Sequence, residues 1–183
     1  NIPAGVFIDV EGAICAGSAA CGASQGSASS QVRFEWATPS DYSVTGRCYQ
    51  QGSQLLNNVD AACGSGLIIR STINQASTGM SYVSFNNAYG FPIYVQSQQA
   101  VQYGTLIFDG SSTTVDNLAF SNINTSNVVA LDFAAPTIRD STFVLGDDGR
   151  GYDAAAVRVY DAGAGILSAL TITGSTLTGN TQA

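Results

Sequence analysis

This 183-residue chain contains no lysine and no histidine, and its six arginines are outnumbered by thirteen acidic residues. The absence of these side chains excludes most general bases and all Schiff-base lysines, so an enzyme would depend on carboxylates, arginine, tyrosine or a metal. The net charge of −7 repels phosphate backbones and anionic lipid, which excludes nucleic acid as an expected partner. The composition therefore favours a noncatalytic protein.

Charge in general and long hydrophobic runs are also scarce. Charged residues make up 10% of the chain, and no apolar run approaches the roughly 18 residues of a membrane-spanning helix. Hydrophobic residues nevertheless make up 45%, which is enough for one packed core and argues against disorder. The sequence begins at Asn1 without a methionine, as we expect of a processed protein or of a fragment of a longer surface protein.

The four cysteines, Cys15, Cys21, Cys48 and Cys63, all lie within residues 15–63. Their even number predicts two disulfides, and we favour the pairs 15–21 and 48–63 among the three connectivities that four cysteines allow. A zinc site fits less well, because the spacings are not those of paired CxxC motifs and no histidine completes a ligand set. Disulfides imply an oxidising compartment, so we expect a secreted or cell-surface protein.

The residue pattern changes near residue 66 and divides the chain into two parts of one continuous domain. Residues 1–65 are predicted to form an irregular, disulfide-stapled N-terminal segment with short strands at 6–10 and 32–36 and one helical turn at 54–59. Residues 66–183 consist of short β-branched runs broken by Gly, Asn, Asp and Ser. Such runs are typical of many short strands joined by tight turns.

One short pattern recurs in the second part. It places Thr first, then a β-branched residue, a polar residue, a turn residue, two variable residues and a large apolar residue. The copies are residues 114–120, 137–143 and 171–177, with a weaker copy at 80–86. If the copies stack, the sequence predicts one apolar column of Val115, Ile138 and Ile172, a second of Phe85, Phe120, Phe143 and Leu177, and bends at Asn117, Asp140 and Gly174.

The spacing of the copies indicates stacked layers. The last apolar residue recurs at steps of 35, 23 and 34 residues. A layer of three short strands needs on the order of 20 to 25 residues, so each longer step carries an additional loop of about 11. A second alternating pattern, at 93–95, 129–133 and 157–160, predicts another wall of the same core.

The segments LTITGSTLTGNT (170–181) and TIRDSTFVLG (137–146) resemble coils of the right-handed parallel β-helix proteins, the pectate-lyase-like superfamily and its surface-protein relatives. The resemblance covers roughly residues 66–183 and implies an all-β solenoid preceded by the disulfide-containing segment. A β-sandwich is the structural alternative, since it also suits short strands with regular turns. A sandwich, however, offers no reason for recurring corner residues.

One loop carries candidate ligands, namely Asp147, Asp148, Arg150 and Asp153. Paired carboxylates serve inverting glycoside hydrolysis or bind Ca²⁺ against an acidic sugar. We expect a solvated turn there, no catalytic residue and no cofactor, with Ca²⁺ as the one candidate ion.

Resemblance to the enzymes of the β-helix superfamily does not extend to their catalytic residues. Polygalacturonases carry Asn-Thr-Asp, Asp-Asp, Gly-His-Gly and Arg-Ile-Lys motifs, of which this chain has only Asp147-Asp148. A pectate-lyase reaction would need Arg139 or Arg158 beside Asp140 or Asp116 on the outer face, and such pairs are more often surface ion pairs.

The last predicted strand indicates a role in assembly. No polar capping helix follows it, so Leu170, Ile172, Thr176 and Leu177 are expected to form an assembly edge covered by a like subunit or by the remainder of a longer protein. The leading hypothesis is a noncatalytic adhesin-like module or filament subunit. The alternatives are a carbohydrate-binding or carbohydrate-active protein and, third, an ice-binding solenoid, whose Thr ladder would be broken at Asp116 and Arg139.

Overall fold

The computed structural model describes residues 2–3, 7–18, 26–37, 50–51, 54–55, 66–70, 78–88, 90–95, 100–123, 126–131, 133–144, 155–160 and 168–178. Within these ranges all regular secondary structure is strand, which confirms the predicted all-β class. The helical turn predicted at 54–59 is wrong where it is described, because Gln54–Leu55 pairs antiparallel with Gln50–Gln51.

The described residues form sixteen strands of two to ten residues, as expected where β-branched and aromatic side chains alternate with polar ones. They are β1 (Phe7–Val10), β2 (Cys15–Ala16), β3 (Val32–Glu35), β4 (Gln50–Gln51), β5 (Gln54–Leu55), β6 (Gly66–Arg70), β7 (Gly79–Asn86), β8 (Phe91–Val95), β9 (Ala100–Asp109), β10 (Thr114–Ser121), β11 (Ser126–Leu131), β12 (Thr137–Arg139), β13 (Thr142–Val144), β14 (Val157–Val159), β15 (Thr171–Thr173) and β16 (Thr176–Thr178).

Most of these strands form two parallel sheets. Sheet 1 has the order β1, β6, β9, β11 and β14, and sheet 2 runs from β2 and β3 through β7 and β10 to β12 and β13 and then to β15 and β16. The chain alternates between the sheets, so each layer consists of one strand of sheet 1 and the next strand or strand pair of sheet 2. The five layers begin with β1, β6, β9, β11 and β14, and β1 and β3 show that the segment before residue 66 supplies the first layer.

The register of sheet 2 stacks the sequence copies on one another. Val115 pairs with Ile138, and Ile138 pairs with Ile172, as predicted. The weaker copy belongs to the same set, because Met80 lies opposite Val115 and Phe85 lies opposite Phe120. One copy of the pattern therefore occupies each of the last four layers.

The core lies between the two sheets. Its buried cluster combines Leu67 and Leu106 of sheet 1 with Met80, Phe85 and Phe143 of sheet 2, and each of these side chains is at most 1% exposed. Because strand side chains alternate between faces, every second residue contributes to this cluster. No single layer carries enough apolar surface for such a core, so the stacking itself provides it.

The middle of sheet 1 is buried on its outer face as well. Ile68, Ile107 and Val129 point away from the shared core, lie in register across β6, β9 and β11, and are fully buried with Leu131 and Tyr160 in a second cluster. This explains the nearly continuous apolar runs in these strands, which are typical of strands covered on both sides.

One strand predicted for the second wall is placed incorrectly by the sequence pattern. Residues 93–95 lie in β8, which pairs antiparallel with the first half of β9 as a hairpin rather than joining the parallel register. Leu106 and Phe108, at the end of β9, take that position instead, opposite Val128 and Ala130. Alternation of apolar residues identifies a strand but not its partner, and the hairpin accounts for the extra length of the 35-residue step. The other two predicted segments do lie in one parallel wall, where residues 128–130 pair with residues 157–159.

Candidate functional site

A column of left-handed corners divides the strands of sheet 2. Asn117, Asp140 and Gly174 have φ angles of 51°, 47° and 61°, which confirms the predicted bends. Asn, Asp and Gly tolerate this conformation better than other residues, because Gly lacks a Cβ and the short polar side chains bond locally. Tyr82 holds the same position in the second layer with φ 53°, which its residue type did not predict.

A serine follows the corner in each of the last two layers. Its hydroxyl links that layer to the one before it. The Leu118 N–H donates to Ser141 Oγ at 3.0 Å, and the Ser141 N–H donates to Ser175 Oγ at 3.1 Å. Each hydroxyl donates in turn to a carbonyl of its own strand, at Arg139 and Thr173. The hydroxyl therefore replaces the carbonyl acceptor that a continuous strand would offer where the bend interrupts the ladder.

The aromatic column predicted from the sequence is present and one residue longer. The rings of Phe85 and Phe120 are 5.1 Å apart and those of Phe120 and Phe143 are 5.7 Å apart, with Leu177 next in register. Phe34 of β3 extends the column at the other end, 5.4 Å from Phe85. The sequence pattern missed Phe34 because no Thr or corner residue precedes it at the required spacing.

The column ends at β15 and β16. The side of these two strands that faces away from β12 and β13 is here called the β15–β16 edge. Phe143 and Ile138 are fully buried, whereas Leu177 and Ile172, the next members of the same two columns, are 61% and 38% exposed. Thr176 is exposed and Leu170 packs partly against the core. The four predicted edge residues thus lie together in the last layer.

Two backbone donors mark this edge. In the layer below, the N–H groups of Asp140 and Ser141 donate to Thr173 O and Ser175 Oγ of the last layer. Gly174 and Ser175 are the equivalent residues of the last layer, and no acceptor for their N–H groups is found in the part of the chain that the structure describes. The edge therefore presents apolar side chains and backbone donors in the arrangement that binds the fourth layer to the fifth.

The outer face of sheet 2 bears small polar side chains. Thr114, Thr137 and Thr171 lie in register, but the neighbouring column contains Asp116 and Arg139 opposite Thr173, so the Thr ladder is interrupted as predicted. The Ser81 hydroxyl and Asn117 Nδ2 both donate to Asp116 Oδ1. Arg139 lies beside Asp116 in the register without an ion pair between them among the described contacts.

The strongest charged contact lies on sheet 1. Arg70 of β6 donates through Nε and Nη2 to both carboxylate oxygens of Asp9, at 3.0 and 2.8 Å, and through Nη1 to Asp109 at 2.6 Å. The hydrogen bond to Asp9 raises the pKa of Arg70 above its usual value. Partial burial opposes this shift of the pKa, and the further bond to Asp109 adds to it. Arg70 thus ties together the first three layers, a structural role.

Several predicted residues lie outside the described residues. These are the ligand loop with Asp147, Asp148, Arg150 and Asp153, and the cysteines Cys21, Cys48 and Cys63. Cys15 is described, with its Sγ 3.7 Å from the carbonyl oxygen of Ser18. The disulfide pairing and the Ca²⁺ loop therefore stay predictions. In the described ranges, no group of three or more acidic or cysteine side chains is arranged to hold a metal.

No family model, curated protein or solved structure matches this chain. The described part of the chain also contains no helix with the length and apolarity required to cross a bilayer. The functional argument consequently rests on the geometry of the β15–β16 edge.

The sequence pattern missed the role of Ser141 and Ser175. Both were assigned to the variable positions between the corner and the large apolar residue. The available signal was their repetition directly after the corner in two consecutive copies. The role of the serine depends on a hydrogen bond between residues 34 positions apart, and only the stacking of the layers brings these residues together.

Proposed function

We propose that this chain is a noncatalytic extracellular β-solenoid of the right-handed parallel β-helix type. It acts as an adhesin-like surface module or filament subunit, and a β-layer from a neighbouring polypeptide extends it at the β15–β16 edge. Addition of a strand to an exposed sheet edge is a recurring mode of protein recognition, in which backbone bonds give affinity and alternate side chains give specificity.

The observation that carries the proposal is the change in exposure along each column. Ile138 and Phe143 are buried because another layer covers them, while Ile172 and Leu177 present the same kind of side chain to solvent. Exposed apolar residues beside unpaired backbone donors form a template for a further strand. Covering them would bury apolar surface and satisfy the donors in one step.

The extracellular location and the noncatalytic role rest on composition. Four cysteines in 183 residues suit an oxidising compartment, and the lack of Lys and His leaves few groups for acid–base chemistry. The rows of Ser and Thr on the outer face of sheet 2 suit a surface that is soluble without being highly charged.

A peptide that copies residues 137–144 is a direct probe for the proposed edge, because this segment already binds β15 and β16 from the other side. Titration into the ¹⁵N-labelled chain should shift the amide resonances of Ile172, Gly174, Ser175 and Leu177. We expect Leu177→Arg to abolish these shifts, since a charged side chain blocks the end of the apolar column.

The matched control is Thr142→Arg, which places the same charge on the same sheet but one layer inwards, on the exposed outer face. This variant should bind the peptide like the unmodified chain. Absence of any shift at millimolar peptide, or equal binding by the Leu177→Arg variant, would refute the proposed use of the edge.

A further inference from the structure

The corner of the last layer restricts which strand can be added at the β15–β16 edge. We infer that the edge accepts a segment of another polypeptide that carries its own corner motif: an aliphatic residue, a polar residue, a residue that tolerates positive φ, then Ser, any residue and a large apolar residue. This inference rests on the proposed function and names the chemistry of the partner.

The motif follows from the contacts between the fourth and fifth layers. Ile138 lies over Ile172 and Phe143 over Leu177, which requires apolar residues three positions before and two positions after the serine. The Asp140 N–H donates to Thr173 O at 2.9 Å. For the Gly174 N–H to do the same, the added strand must bend at the same residue and offer the carbonyl that precedes the bend.

The serine is the most specific requirement. A flat, continuous strand cannot follow the bend at Gly174, so it cannot bring a backbone carbonyl to the Ser175 N–H. In the layer below, the equivalent donor of Ser141 is satisfied by Ser175 Oγ at 3.1 Å. A partner serine in this register supplies the acceptor, and an alanine there leaves the donor unsatisfied as the strand covers it.

Gly174 leaves room for a partner with a side chain at its corner. Asp140 places its carboxylate where a Cβ on Gly174 would lie, so the corner side chain of one layer extends over the corner of the next. Gly174 has no side chain that could reach the added layer. Asn, Asp or Gly therefore all fit at the corner of the partner.

A second copy of this chain does not offer such a segment. Its copies at 114–120 and 137–143 are paired on both sides within the molecule. Its copy at 171–177 is the β15–β16 edge itself, and two identical edges that keep their core faces on one side meet antiparallel, which does not match the corners. In its first layer, Ala16 takes the register of Met80 and of the Val115 column, but β2 stops there, and among the described residues the next strand of sheet 2 begins at Val32. Gly17 follows Ala16, and its carbonyl already accepts the Gly26 N–H at 2.8 Å. The motif is thus supplied by a segment that lies outside these 183 residues.

The test compares two peptides in the same titration: the copy of residues 137–144 and its Ser141→Ala form, which keeps every apolar residue. We expect the alanine peptide to bind about three- to tenfold more weakly, the usual effect of losing one neutral hydrogen bond at a covered donor. A third peptide of the same length, with alternating apolar residues and no corner residue, should bind more weakly still.

Equal affinity of the three peptides would overturn the corner requirement while leaving the proposed function intact, whereas failure of all three would count against the proposed function itself. Sedimentation velocity of the chain alone, up to several hundred micromolar, tests whether the partner is a second copy of this chain or a different polypeptide. We expect the chain alone to stay monomeric, so a filament would require a second, different polypeptide. Polymerisation that Leu177→Arg abolishes and Thr142→Arg preserves would identify a second copy as the occupant and refute the inference.

Discussion

Phe143 and Leu177 occupy equivalent positions in two copies of one pattern, yet they stand in opposite environments. Phe143 is fully buried between Phe120 and Leu177, and Leu177 is 61% exposed. Burial of an apolar side chain, rather than its identity, determines how much it stabilises the fold. Equivalent residues of the repeat should therefore contribute very different free energies.

Truncation of these two residues tests that difference. Phe143→Ala should lower the free energy of unfolding by about 3–5 kcal/mol, because it removes a buried ring and leaves a cavity in the column. Leu177→Ala should cost less than about 1 kcal/mol, as expected for a largely exposed site. Urea denaturation followed by circular dichroism measures both values, and similar losses would contradict the proposed exposure of the edge.

Parallel strands from distant parts of the sequence depend on contacts between layers, and Arg70 provides one that the sequence did not reveal. It bonds to Asp9 on β1 and Asp109 on β9, residues 61 and 39 positions away. The guanidinium forms a two-bond fork with Asp9, a geometry that lysine cannot reproduce. The three strands are joined by charge on one face and by apolar packing on the other.

Arg70→Gln should lower the free energy of unfolding by about 1 kcal/mol, a modest value because the side chains are about one-third exposed or less. Raising NaCl from 0.1 to 1 M should weaken the effect through screening. Arg33→Gln on β3 is the matched control, since Arg33 is exposed and has no ion pair among the described residues. Identical urea midpoints for the two variants would show that the Arg70 contacts add no stability.

The layered arrangement implies a gradient of stability through the whole molecule. Strands β10 and β11 are covered by layers on both sides, whereas β15 and β16 are covered on one. In a stack where each layer contacts only its neighbours, local opening starts at layers that lack one neighbour. The last layer should therefore open more readily than the middle of the stack.

Hydrogen–deuterium exchange followed by mass spectrometry measures this gradient. Peptides from β10 and β11 should exchange at least about tenfold more slowly than the peptide containing β15 and β16. Adding the peptide copy of residues 137–144 should slow exchange in β15 and β16 and leave β10 unchanged. Uniform exchange across all the layers would indicate global opening and contradict the layered account.

The sequence alone determined the strand class, the register of the last four layers of sheet 2 and the corners at Asn117, Asp140 and Gly174. These depend on local chemistry: side chains that alternate with a period of two, and Asn, Asp or Gly where a bend requires positive φ. Val115, Ile138 and Ile172 could be aligned because each precedes its corner by the same two residues.

Only the tertiary structure decided how the strands outside the repeated pattern pair and which contacts the repeated residues make. It placed residues 93–95 in an antiparallel hairpin, added Phe34 to the aromatic column and gave Ser175 its partner in Ser141. It also left Leu177 exposed at the β15–β16 edge although its pattern matches that of buried Phe143. Alternation of residue types is a property of one strand, whereas pairing and burial depend on which neighbours the rest of the chain brings to it.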